Sequence, residues 1–143
     1  MLRIVLDSTV LIDIERKNKD ALDLVKGMLA NNEELIISAV TASEVLTGVY
    51  YIGKRESLLD ARTVLAQFST VPLDAEVAEK TAQFLAFLLR NGSPVDFKNV
   101  AIAATFTVTK SDFLLTQNKK HFEVIPEIGS KARTISEFKK IYR

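Results

Sequence analysis

The sequence contains no cysteine and a single histidine, His121. The missing cysteines exclude disulfide bonds, thiolate zinc sites and cysteine nucleophiles. With one histidine, a multi-histidine metal site is excluded, and little room is left for a serine–histidine–aspartate triad. No apolar run approaches the roughly 18 residues that a membrane span needs, and no leader with a cleavage site is evident. We therefore expect a cytoplasmic protein that makes no membrane contact.

The chain also lacks an excess of either positive or negative charge. The chain has 143 residues with 19 basic and 18 acidic side chains, for a net charge of +1, and 48% of its residues are hydrophobic. These values are ordinary for a globular protein, and we expect residues 1–143 to form one domain. Because the net charge is close to zero, binding to a polyanion would have to depend on a local patch or on a metal ion.

Short apolar runs alternate with stretches of helical periodicity along the chain. The runs predict strands over residues 2–6, 34–38, 70–73 and 113–116. The periodic stretches predict helices after Asp7 and over residues 20–29, 41–52, 56–68, 75–90, 96–109 and 135–142. Strands that alternate with helices, without hairpin signals, predict an α/β fold with a mainly parallel central sheet flanked by helices.

Five polar residues fall at strand ends or in the first turns of the helices that follow. They are Asp7, Glu44, Asp96, Asn99 and Asn118. In a parallel sheet with right-handed crossovers these positions lie along one edge, where ligands collect. Carboxylate and amide oxygens suit Mg²⁺ or Mn²⁺, and ions of this kind support hydrolysis at phosphorus.

Each of these residues also has a purely structural interpretation. Asp7 is a good helix N-cap, and Glu44 would favour the dipole of a first helical turn. Asp96 with Asn99 resembles an N-cap and its partner three residues later. Asn118 is typical of the start of a turn. Residue types alone leave both interpretations open.

Four segments resemble the PIN-domain family, in order and over nearly the whole chain. They are VLDSTVLI at 5–12, SAVTASEVLTG at 38–48, PVDFKNVAIAAT at 94–105 and LLTQNKKHF at 114–122. A domain of this size resembles most the VapC toxins of toxin–antitoxin pairs. The resemblance implies a PIN-like three-layer α/β/α fold in a Mg²⁺-dependent endoribonuclease that cleaves RNA. It also implies a homodimer and a VapB-like antitoxin whose tail blocks the cleft.

The resemblance assigns roles to the candidate residues. Asp7 and Glu44 would hold Mg²⁺, or Mn²⁺ as a substitute, with Asp96 or Asn99 completing the site. Asn118 would position water or substrate. Ser8 and Thr116 would orient the carboxylates without binding the ion themselves. For the homodimer, apolar area is offered by Tyr50–Ile52 and by Phe84, Phe87 and Leu88, although core packing explains the same pattern.

Asn99 departs from the family pattern, which has an acid three residues before the Ile-Ala-Ala at 102–104. Its amide oxygen can ligate a cation but adds no negative charge. Three explanations are open: Asn99 replaces an aspartate by engineering, Asp96 serves as the ligand one turn earlier, or the site is degenerate. In the last case the protein would be a PIN-like dimer that binds RNA or an antitoxin without turnover.

Overall fold

The computed structural model describes residues 1–94 and 96–142, so that Val95 of the third motif and Arg143 lie outside the described residues. Within this part of the chain, five strands form one sheet in the order β3-β2-β1-β4-β5, with every neighbouring pair parallel. The strands are β1 (Arg3–Leu6), β2 (Glu34–Ser38), β3 (Ser69–Val71), β4 (Phe113–Leu115) and β5 (Ala132–Arg133). The predicted parallel sheet is confirmed.

Helices connect the strands and cover both faces of the sheet. They are α1 (Ser8–Glu15), α2 (Lys19–Ala30), α3 (Ala39–Ile52), α4 (Arg55–Leu65), α5 (Ala75–Arg90), α6 (Phe97–Val108), α7 (Lys119–Glu123) and α8 (Ile135–Ile141). A single 3₁₀ turn, Gly129–Lys131, precedes β5. Within the described residues, no helix has the length and apolar character required to cross a bilayer.

Alternating side chains of the strands build two apolar cores, one on each face of the sheet. On one face Ile4, Leu6 and Leu115 pack with the buried sides of α1, α2 and α8. On the other face Val5 and Leu114 pack with α5, α6 and α7. Continuous apolar strands are expected where both faces are covered. The expected three-layer α/β/α architecture is confirmed.

The alanines of α6 allow this helix to lie close to the sheet. Ala101, Ala103 and Ala104 are fully buried, and α6 also packs along α5. Small side chains shorten the distance between a helix and its neighbours without opening voids. The N-terminus of α6 is thereby held beside the carboxyl ends of the central strands.

The structure differs from the predictions at one helix end and in two short elements. The helix predicted to reach Phe68 ends at Leu65, and Phe68 instead packs into the core as a buried loop residue. The strand β5 and the helix α7 were not predicted. Both are too short for a hydrophobic period to be visible in the sequence.

Candidate active site

Asp7 lies where β1 passes into α1, at the carboxyl edge of the sheet. Its Oδ1 accepts hydrogen bonds from the backbone N of Thr9 at 3.0 Å and of Val10 at 3.3 Å, so that Asp7 is the N-cap of α1. The Thr9 hydroxyl donates to the same oxygen. The capping interpretation is therefore correct. It is compatible with a role as a metal ligand because Oδ2 takes no part in the cap.

The second carboxylate oxygen of Asp7 is held by the next strand. Thr116 Oγ1, directly after β4, donates to Asp7 Oδ2 at 2.6 Å. Asp7 is only 3% exposed, and the groups that contact it are uncharged hydroxyls and amides. Burial raises the pKa of Asp7, and the hydrogen bonds from Thr116 and Thr9 oppose that rise. A buried carboxylate bonded in this way gains stability from a cation beside it.

Glu44 reaches the same edge from α3. Ser8 Oγ donates to Glu44 Oε1 at 2.6 Å, which links Glu44 to the residue that follows Asp7. The prediction that Glu44 lies in a first helical turn was wrong. Ser38 caps α3 by accepting from Val40 N at 3.1 Å, so the helix begins at Ala39 and Glu44 is its sixth residue. The N-terminal dipole of α3 therefore does not explain Glu44.

Lys98 was not predicted as part of the site. Its Nζ donates to Glu44 Oε2 at 3.1 Å, and this bond is the main reason that the pKa of Lys98 is raised. Lys98 is the second residue of α6, a place where the helix dipole disfavours a cation. No pattern in the sequence indicated this contact, because it depends on how α6 packs beside α3.

Asp96 and Asn99 lie at the start of α6, as predicted. Asp96 is the N-cap, but its Oδ1 accepts from Lys98 N at 3.0 Å rather than from Asn99. The Asn99 amide is 3.5 Å from the His121 ring. Both residues line one cavity of about 310 Å³ with His121 and Lys120.

Asn118 lies just before α7 and is tied to the same loop. Its backbone N donates to Thr116 Oγ1 at 2.9 Å, and its carbonyl accepts from His121 N at 3.0 Å. Its side chain makes no capping bond to α7. The Thr116 hydroxyl thus connects Asp7 to the loop of Asn118.

The helix α7 is anchored from the other side by α8. Lys119 Nζ donates to Glu137 Oε2 at 2.8 Å, and Glu137 forms a reciprocal capping box with Thr134. The Lys119 hydrogen bond, together with the backbone bond from Thr134, lowers the pKa of Glu137 to about 2. These contacts fix the position of the segment that carries Asn118 and His121.

Four of the five predicted residues fall into two adjoining sets. Asp7 and Glu44 are joined through Ser8, while Asp96 and Asn99 lie in the cavity at the start of α6. Over residues 1–94 and 96–142, no three acidic or histidine side chains are close enough together to share an ion. Asp7, Glu44, Asp96 and Asn99 each offer an oxygen donor, and such donors fit a hard divalent cation such as Mg²⁺.

The fold is that of a parallel α/β protein whose candidate site lies at the carboxyl edge of the sheet. Comparisons with known proteins identify its family. The model of the PIN domain matches residues 4–128. A VapC ribonuclease of Pyrococcus furiosus is 31% identical over 138 residues, which cover 96% of this chain and 89% of the relative. Ribonuclease VapC1 of Methanocaldococcus jannaschii is 32% identical over 129 residues, covering 90% of this chain and 85% of the relative.

Solved structures are similar in fold. The DNA-bound VapBC of Salmonella typhimurium matches with a TM-score of 0.83 at 23% identity, covering 94% of this chain and 99% of the other. VapBC2 of Rickettsia felis, bound to a promoter DNA fragment, matches with a TM-score of 0.80 at 19% identity, covering 93% and 98%. The chain belongs to the PIN-domain family and, within it, to the VapC ribonucleases. Ribonucleases of the PIN-domain family generally depend on a divalent metal ion.

Proposed function

We propose that this protein is the endoribonuclease toxin of a toxin–antitoxin pair and hydrolyses RNA phosphodiester bonds in the cytoplasm. The observation that carries the proposal is the buried Asp7 carboxylate at the carboxyl end of β1, with Glu44 linked to it through Ser8. These two carboxylates lie at the edge of the parallel sheet where ligands of such folds bind.

The ion that fits these donors is Mg²⁺, with Mn²⁺ as a substitute. Asp7 and Glu44 would hold it, and Asp96 or Asn99 would complete the site. When bound, a divalent ion activates water and neutralises the charge that develops on the phosphate. The uncharged contacts of Asp7 support this assignment because a buried carboxylate without a cation is costly.

The surrounding side chains orient the ligands and the substrate. Thr116 and Thr9 fix the Asp7 carboxylate, and Ser8 fixes that of Glu44. Asn118 would position the attacking water or the RNA, since its side chain makes no capping bond to the helix behind it. Supporting hydrogen bonds of this kind commonly change metal affinity or activity by about 10–100-fold.

A VapB-like antitoxin and a second copy of the chain are the protein partners that we propose. The solved structures with a similar fold are VapBC complexes, which supports an antitoxin as a partner. Exposed apolar side chains support the homodimer: Tyr50 is 59% exposed, Tyr51 92% and Phe87 42%. Phe84 and Leu88, which the sequence pattern also indicated for this interface, are core residues at 2% exposure.

The presence of asparagine at position 99 favours one alternative to the ribonuclease function, a PIN-like dimer that binds RNA or an antitoxin without turnover. An amide in place of a carboxylate leaves less charge to hold an ion. Calorimetric titration with Mn²⁺ separates the two functions. No binding at millimolar Mn²⁺, together with intact RNA, would favour the binding protein.

Cleavage of a panel of structured RNAs tests the leading proposal. Untagged protein should cut at least one RNA in Mg²⁺, and EDTA should stop the reaction because carboxylates without the ion repel the anionic phosphate and do not neutralise the charge that develops on it. Restoring Mg²⁺ should restore cleavage. Equal cleavage in EDTA would contradict a metal-dependent site and point to a contaminating nuclease.

A further inference from the structure

Both oxygens of the Glu44 carboxylate already have a hydrogen-bonding partner. Ser8 holds Oε1 at 2.6 Å, and the Lys98 ammonium holds Oε2 at 3.1 Å. The two bonds differ in kind, because the serine hydroxyl is neutral whereas the ammonium brings a full positive charge. Lys98 therefore occupies the Glu44 oxygen that a divalent ion could otherwise use.

The main chain of Lys98 is fixed, while its side chain can move. Asp96 Oδ1 accepts from Lys98 N at 3.0 Å, which anchors the residue in the first turn of α6. The side chains of Lys98 and Glu44 are 53% and 31% exposed. An exposed lysine–glutamate pair is weak, so its exchange for another partner costs little. The ammonium can leave Glu44 without disturbing α6.

Lys98 places a positive charge beside the carboxylates of this edge. It bonds Glu44 directly and follows the N-cap Asp96 by two residues, while its neighbour Asn99 brings no charge. A cation in this place competes with a metal ion for Glu44 and attracts a phosphate.

We propose that Lys98 changes its partner when the site is loaded: it pairs with Glu44 before the metal ion binds and with an RNA phosphate oxygen afterwards. This inference rests on the proposed ribonuclease function. Lys98 thereby has two opposite effects. It weakens metal binding by competing for Glu44, and it strengthens RNA binding as a point charge on the phosphate.

The test compares Lys98→Met with Lys139→Met as a matched control. Lys139 is also a partly exposed lysine bonded to a carboxylate, with Nζ 2.7 Å from Asp20 Oδ1, but it joins α8 to α2. Mn²⁺ binding is measured by calorimetry, and binding of a phosphorothioate RNA hairpin in Mn²⁺ by fluorescence anisotropy. Circular dichroism checks that each variant is folded.

We expect Lys98→Met to bind Mn²⁺ about threefold more tightly than the wild type, because an exposed ion pair competes only weakly for Glu44, and to bind the RNA about tenfold more weakly. Lys98→Arg should stay near the wild type in both measurements because the charge is kept. The inference is overturned if Lys98→Met leaves Mn²⁺ affinity unchanged or weakens RNA binding no more than Lys139→Met does. A wild type that binds no Mn²⁺ would instead overturn the proposed metal site itself, and this inference with it.

Discussion

Thr116 Oγ1 donates a hydrogen bond of 2.6 Å to Asp7 Oδ2, between residues 109 positions apart in the chain. Both residues are buried, and the same hydroxyl accepts from the backbone N of Asn118 at 2.9 Å. One side chain thus fixes the orientation of the central carboxylate and the start of the loop before α7. This hydroxyl is the most direct structural link between Asp7 and Asn118.

Replacing Thr116 by Val should remove both bonds while keeping the shape of the side chain. We expect cleavage to fall by about tenfold and the free energy of unfolding to fall by about 1–3 kcal/mol, because the buried Asp7 oxygen is left without its donor. Thr116→Ser should recover most of both losses. Rates from an RNA cleavage assay and urea denaturation measure the two effects.

The control for this substitution is Thr105→Val in α6. Thr105 is also buried, and its hydroxyl donates to the Ala101 carbonyl at 2.9 Å, away from Asp7. It should cost stability but leave the rate per folded molecule unchanged. An equal loss of rate in both variants would mean that Thr116 has no orienting role.

Asn99→Asp should add a carboxylate to the start of α6. We expect Mn²⁺ affinity and the cleavage rate to rise, each by about tenfold, because a fourth negative charge strengthens a hard-cation site. Asn91→Asp, at the end of α5, provides the matched control for a new charge elsewhere. If neither quantity changes in Asn99→Asp, residue 99 is not a ligand position.

Glu137 gives the stability of this region a pH dependence of known sign. Its pKa is lowered from 4.5 to about 2, so its bonds to Lys119 and Thr134 stabilise the folded state above pH 4.5 and are lost as the pH falls towards 2. Glu137→Gln should therefore lower the free energy of unfolding at pH 7 by about 0.5 kcal/mol, a small value because the pair is partly exposed.

Thermal denaturation as a function of pH measures this effect. The difference between Glu137→Gln and the wild type should narrow below pH 4.5 and vanish near pH 2. Glu79→Gln, a surface substitution in α5, is measured beside it as the control for removal of one surface charge. A difference that stays constant across this range would assign the loss to the capping geometry rather than to the charge of Glu137.

Much of the architecture could be predicted from the sequence because the apolar pattern is strong. The strand at residues 2–6 and the strand at 113–116 were predicted within one residue at each end, and so was the helix at 75–90. A continuous run of branched apolar residues reflects a strand that is buried on both faces. Apolar residues at helical spacing reflect a helix that is buried on one face. The parallel sheet then follows from the alternation of the two patterns.

The side-chain contacts of the site could be predicted only in part. The edge shared by Asp7 and Glu44 follows from parallel topology, and the hydroxyls of Ser8 and Thr116 were correctly expected to support the carboxylates. The bond from Lys98 to Glu44 was not predicted, because it depends on how α6 packs beside α3. Whether Asp96 and Asn99 bind a metal ion stays a prediction.

The most direct test of the account is the RNA cleavage rate of Asp7→Asn in Mg²⁺, measured beside Asp74→Asn. Both aspartates are N-caps, of α1 and α5, and asparagine caps a helix as well as aspartate does. We predict that Asp7→Asn keeps the fold and loses more than about a hundredfold in rate, equivalent to about 2.7 kcal/mol of activation free energy. Asp74→Asn should cleave at the rate of the wild type. Full cleavage by folded Asp7→Asn would contradict the account, since it would remove the buried carboxylate from the reaction.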